Sequence, residues 1–296
     1  MSAPSPLDVL ETWSIEPGLT FALLASATVY VIGVRRSRQR TGTGWPLWRT
    51  GAFMAGLASI ALALESGLDV DAELLLSIHM VQHLVLVLAA APLLLAGAPI
   101  TLALRAASAP LRRELARVLH GRAARILSHP AVGLLAIGGS MLGTHLTPLY
   151  GWALEHPLVH FGEHILFLVC GLIFWAVLIA PGPAVRRLDG LGKVVYLLLG
   201  MPLMSVVGVI LETEPTPRYH QYLAPARRLG ISALSDQRLA GALMWIAGTL
   251  LMGVIALGAA WQSMVLEERR LAAREAHADR AGNPVLSTDL LTRGPA

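Results

Sequence analysis

The stretch LLLSIHMVQHLVLVLAAAPLLLAGAPI, Leu74 to Ile100, contains no Asp, Glu, Lys or Arg. It exceeds the roughly 20 apolar residues that a helix needs to cross the hydrocarbon core of a bilayer. Its reading is therefore a membrane span, long enough to need tilt or a bend, and Pro92 removes a backbone donor where a bend would form. The span also carries His79 and His83. At i and i+4 on a helix they share one face, about 6 Å apart. A polar pair of that kind inside a lipid-soluble segment marks a functional site by default.

Six further stretches read as spans: Gly18 to Val34, Thr50 to Leu68, Ala131 to Thr147, Pro157 to Ala180, Val194 to Leu211 and Leu239 to Trp261. Together they predict an all-α integral membrane protein, a bundle of seven transmembrane helices occupying residues 18–262. A short segment, residues 1–17, precedes it, and a largely disordered tail, residues 263–296, follows. Composition agrees, with 55% hydrophobic and 14% charged residues and a mean hydropathy of +0.61; soluble domains average about 25% charged. The N-terminus lacks a positive n-region, which predicts that the first span stays as an anchor.

A net charge of +4 raises the question of nucleic acid, yet no basic run is interleaved with aromatics, so no nucleic-acid partner is expected. The basic residues read instead as topology signals. Of the 23 Lys and Arg residues, 19 fall on one side of the predicted spans, from Arg35 through Arg125, Arg186, Arg187, Lys193 and the tail. Only Arg218, Arg227, Arg228 and Arg238 fall on the other. The positive-inside rule then predicts an outside N-terminus and a cytoplasmic C-terminus. Trp13, Trp48, Tyr150, Trp152 and Trp261 suit interfacial belts. Arg105 to Ser128 alternates leucines with arginines at helical spacing, which predicts an amphipathic helix on the cytoplasmic leaflet, with a partner-binding helix as the other reading. Gly139 and Gly143, one turn apart, would permit close helix approach.

With that topology the histidines gather at one end. His79 and His83 lie in the outer half of the third span, His145 at the outer end of the fourth, and His160 and His164 at the start of the fifth. Two i,i+4 pairs with His145 between them can offer three to five imidazoles to a metal. Cys170 is the sole cysteine and reads as a buried hydrophobe, so thiolate ligation is absent and copper or zinc suits the donors. Met80, Met141 and Met244 would favour Cu(I), or else they simply pack. Interhelical hydrogen bonding is the structural alternative for any single histidine. For Asp236 it is an N-cap of its own helix, with Ser235 beside it. His160, Phe161, Gly162, Glu163 and His164 also spell H-x-x-E-H, a zinc-hydrolase pattern with the glutamate as general base. No role is assigned to His120, His129 and His277.

The segments His79 to Ile100, THLTPLY (Thr144 to Tyr150), HFGEHILFLVCGLIFW (His160 to Trp175) and GISALSDQRLAGALMWIAG (Gly230 to Gly248) occur together in an order that resembles the seven-helix CtaG family of cytochrome c oxidase assembly factors. The resemblance extends over roughly Leu57 to Arg270. It implies a protein of the bacterial inner membrane that binds copper and delivers it to the catalytic subunit of the oxidase, receiving it from an extracytoplasmic copper donor. On that reading His79, His83, His145, His160 and His164 are the ligand pool, and Glu163, Asp236 and Gln237 orient the imidazoles. A histidine-bound zinc hydrolase, or haem held by two histidines, remain the alternatives.

Overall fold

The computed structural model describes residues 12–179 and 188–282. Expectations about the first eleven residues, about Ala180, Arg186 and Arg187, and about the tail beyond Gly282 lie outside these. Among the described residues the chain is helical, apart from an isolated antiparallel bridge between Trp13 and Ser66.

Helices α1 (Pro17–Thr41) and α2 (Leu47–Glu65) are followed by a single-turn helix, α3 (Gly67–Ala72). The histidine-bearing span is composite: α4 (Leu76–Leu84), a π-helical turn over Val85–Ala90, α5 (Ala91–Ala96) and α6 (Pro99–Ala106). Two short amphipathic helices, α7 (Ala109–Leu119) and α8 (Arg122–Leu127), lead to α9 (Pro130–His145) and α10 (Leu149–Glu155). The remainder comprises α11 (Pro157–Ile179), α12 (Gly190–Thr213), α13 (Leu223–Arg228) and a long α14 (Ala233–Gly282).

Among the described residues six helical stretches are long and apolar enough to cross a membrane, and the protein is a multi-pass membrane protein. The expected fourth span departs from a straight rod. It is the pair α9 and α10, bent by 67°, and counts as a seventh span only if the two are taken together. The bend falls at Pro148, whose ring cannot continue the ladder of α9. The region Arg105 to Ser128, expected as one amphipathic helix, is broken into α7 and α8 at Gly121, leaving Leu111 and Val118 exposed. At the other end of the chain, α14 continues to Gly282, so residues 263–282 of the expected disordered tail are helical.

The expected bend near Pro92 takes a specific form. The Ala91 amide donates to Leu86 O, five residues back, and Pro92 has no amide with which to continue the wide register. That would orphan the Val87 carbonyl in an apolar interior. The Trp175 indole of α11 supplies the missing donor, 2.8 Å away, with Trp175 fully buried. A sequence-encoded backbone defect is thus converted into an interhelical contact.

The core is a continuous cluster running from Leu76 and Met80 through Ile137, Phe167, Phe174, Leu197 and Met204 to Met252. Met80, Met141 and Met244 all belong to it. Glycines set the closest approaches, but not the pair expected. A β-carbon on Gly139 or Gly143 would meet open space, whereas one on Gly138 would lie 3.1 Å from Leu203 and one on Gly133 would strike the Tyr196 hydroxyl. Where α12 crosses α14, a β-carbon on Gly208 would sit 2.6 Å from the Gly241 carbonyl. Only glycine lets these backbones touch.

Candidate metal centre

Each histidine is delivered by a helix end. His79 and His83 lie in the first two turns of α4, His145 is the last residue of α9, and His160 and His164 lie in the first two turns of α11. Asp236 and Gln237 open α14. The loop between α12 and α14 adds Tyr219 and Tyr222. All of these meet at one end of the bundle.

The rings are in contact. His79 Nε2 lies 2.9 Å from His83 Nε2 and 3.3 Å from His160 Nε2. Ring centroids are 4.3 Å apart for His160 and His164, 5.5 Å for His83 and His164, and 5.8 Å for His83 and His145. Among the described residues, two groups of three side chains bring their ligand atoms within 4.8 Å of one another: His79, His160 and His164, and His79, His83 and Glu163. His145 belongs to neither, though its ring stacks on Tyr150 at 5.2 Å. His79, His83, His145, Glu163 and His164 are all buried, while His160 is half-buried.

Hydrogen bonding fixes which nitrogens face inward. The Tyr222 hydroxyl lies 3.2 Å from Ala72 O and 2.8 Å from His79 Nδ1; donating to the carbonyl, it accepts the ring N–H, and the His79 Nε2 lone pair then faces His83 and His160. The Thr144 hydroxyl donates to Ser140 O, and His145 Nδ1–H donates to Met141 O at 3.0 Å. His145 Nε2 is then bare, and it has no partner. His83 Nδ1, His164 Nε2 and both carboxylate oxygens of Glu163 are also buried without a partner. Buried polar atoms are nearly always satisfied, so five orphans in one cluster make it a candidate site for a bound ion or water. Tyr219 completes the wall, donating to His145 O at 2.9 Å, and burial raises the Tyr219 and Tyr222 phenols above the ordinary tyrosine value, keeping both as donors.

Asp236 and Gln237 do not orient imidazoles as expected, nor does Asp236 cap its own helix. Asp236 caps a different one: its carboxylate accepts the Leu76 amide at 2.7 Å and the Ser77 hydroxyl at 2.5 Å, at the N-terminus of α4. Leu75 at that N-cap has no side-chain acceptor, so the cap comes from α14. Gln237 accepts the Arg218 amide at 2.6 Å and donates to Leu211 O at 3.1 Å, tying down the tyrosine loop. Tyr150, expected in the interfacial belt, is fully buried against His79 and His145, whereas Trp13, Trp48, Trp152 and Trp261 are exposed. Gln82 was not singled out in the sequence; it donates to Ala63 O and to Asp69 at 2.8 Å, fixing α2 and α3 beside α4. His129 also has a local duty, accepting the Ala131 amide at the start of α9. Tyr219 and Tyr222 were legible only as an i,i+3 pair in a polar loop.

These features define a class: a multi-pass helical membrane protein with a histidine-rich, carboxylate-containing site at one end of its bundle. Residues 28–265 match the family described as cytochrome c oxidase caa3 assembly factor (Caa3_CtaG). The chain belongs to that family. An uncharacterised protein of Mycobacterium leprae is 30% identical over 93% of this chain, and proteins of Mycobacterium bovis and Mycobacterium tuberculosis are each 31% identical over 93%. This chain spans 43% of the length of those relatives. No solved structure matches it.

Proposed function

We propose that this chain is an assembly factor for cytochrome c oxidase that binds copper with ligands drawn from a pool of His79, His83, His145, His160 and His164 and passes it to the catalytic subunit. The single observation that carries the reading is the set of unpaired imidazole nitrogens and carboxylate oxygens converging in an otherwise apolar bundle end. Imidazole nitrogens suit copper, and a site without thiolates releases it more readily than a cysteine cage. The 19-to-4 bias of basic residues supports an outward-facing site, open to an extracytoplasmic copper donor, in the inner membrane of a bacterium. Met80, Met141 and Met244 serve packing rather than ligation on this reading, as members of the apolar core.

A zinc hydrolase is the second reading, favoured by one observation: Glu163 of the H-x-x-E-H pattern shares a donor group with His79 and His83. The family argues for assembly instead of catalysis. Haem fits poorly, because His79 and His160 nitrogens 3.3 Å apart leave no slot for a porphyrin between them. Metal analysis of the purified protein separates these readings: copper supports the proposal, stoichiometric zinc the hydrolase and a Soret band haem. In cells, the double substitution His79→Gln and His160→Gln at normal protein level is expected to lower assembled oxidase under copper limitation. Full assembly in that strain refutes the copper role, since an amide cannot replace an imidazole donor.

A further inference from the structure

We propose that the cluster forms two overlapping positions for a single copper ion, an outer one of His79, His160 and His164 and an inner one of His79, His83 and Glu163, with His79 retained as ligand in both. This rests on the copper reading above and specifies how the ion moves. Both donor groups contain His79. Its Nε2 is the atom in contact with His83 and His160, while its Nδ1 is held by Tyr222. With Nδ1 engaged by Tyr222, His79 has one nitrogen to offer a metal and cannot bridge two ions, so the positions exclude each other and one ion occupies one of them at a time. The shift between them exchanges two ligands around a fixed third, and no electron is transferred.

The direction follows from burial and charge. His160 of the outer set is half-buried at the rim, with His164 5% exposed behind it, whereas every member of the inner set is buried, His79, His83 and Glu163 being 0%, 2% and 4% exposed. The outer set is three neutral imidazoles. The inner set contains a carboxylate with neither oxygen partnered, whose charge offsets that of a cation inside the bundle. A mixed nitrogen and oxygen donor set is one that Cu(II) accepts. The outer position therefore loads and the inner position retains.

The test uses the full chain purified in detergent and loaded with Cu(II). Wild type is expected to bind one equivalent. His160→Ala and His164→Ala should load at least tenfold more slowly yet release copper to a chelator at the wild-type rate. His83→Ala and Glu163→Gln should load normally and release at least tenfold faster, and the paramagnetic resonance spectrum of Glu163→Gln should lose the signature of an oxygen donor. His79→Ala should abolish both behaviours. Glu163→Gln is isosteric and His160 lies at the rim, so these two carry the comparison if the others disturb folding. Two equivalents bound per chain, or identical rate changes from outer and inner substitutions, overturn the two-position scheme while leaving copper binding intact. Failure of wild type to bind Cu(II) overturns the copper reading itself, and the scheme with it.

Discussion

Removing the Asp236 carboxylate tests whether α14 holds the histidine helix in place. Asp236 is 4% exposed and takes the Leu76 amide at 2.7 Å, the Ser77 hydroxyl at 2.5 Å and, more distantly, the Ser77 amide at 3.4 Å. An N-cap contributes about 1 kcal/mol, and a buried donor left unpaired costs about 1–3 kcal/mol. Membrane hydrogen bonds average less, about 0.6 kcal/mol, because the disrupted state finds other partners. A cap and a hydroxyl together put Asp236→Ala at about 2 kcal/mol. Asp236→Asn keeps one acceptor oxygen and loses only the charge assistance, about 1 kcal/mol. His79 is the fourth residue of α4, so fraying its first turn displaces the imidazole shared by both donor groups. On the proposed copper role, at 1.4 kcal/mol per tenfold, copper affinity should fall by up to about 30-fold for alanine and about fivefold for asparagine. Denaturant titration in mixed micelles reads the stability, and chelator competition reads the affinity. If Asp236→Asn weakens copper binding as much as Asp236→Ala, the carboxylate acts on an imidazole and the capping account is wrong.

Three other outcomes are expected. Trp175→Phe leaves the Val87 carbonyl unpaired and should destabilise the bundle by about 1–3 kcal/mol; adding Pro92→Ala restores a backbone donor and should recover part of that loss, which a double-mutant cycle of unfolding measures. Gly208→Ala forces α12 and α14 apart and should cost about 1–3 kcal/mol, whereas Gly139→Ala and Gly143→Ala, with open space around them, should be neutral or stabilise by up to about 1 kcal/mol; equal thermal shifts for all three would contradict the packing. Reporter fusions at Gly151 and after Gly230 should register outside and those near Arg117 and Gly190 in the cytoplasm, and the reversed pattern would end delivery from the outer side.

Much of the histidine cluster was already legible in one dimension. Spans are local properties, read from about 20 residues of hydropathy, and the end of a span at which a histidine sits follows from counting along it. That is why His79, His83, His145, His160 and His164 were assembled at one end from the sequence, and why Pro92 announced a break. What the sequence left undecided was rotation about each helix axis. In a soluble helix the polar face reveals it, but in a lipid bilayer the outward face is as apolar as the inward one. Leu135 is 73% exposed and Ile137 fully buried two residues on, with nothing in hydropathy to tell them apart. The same blindness misassigned Gly139 and Gly143 in place of Gly133 and Gly138. It also sent Tyr150 to the interface, and it aimed Asp236 at an imidazole when its carboxylate reaches across to the start of α4. Only tertiary packing decided that His79 stands between the other histidines, because that depends on three helices crossing at a common end, a relation no single segment of the chain carries.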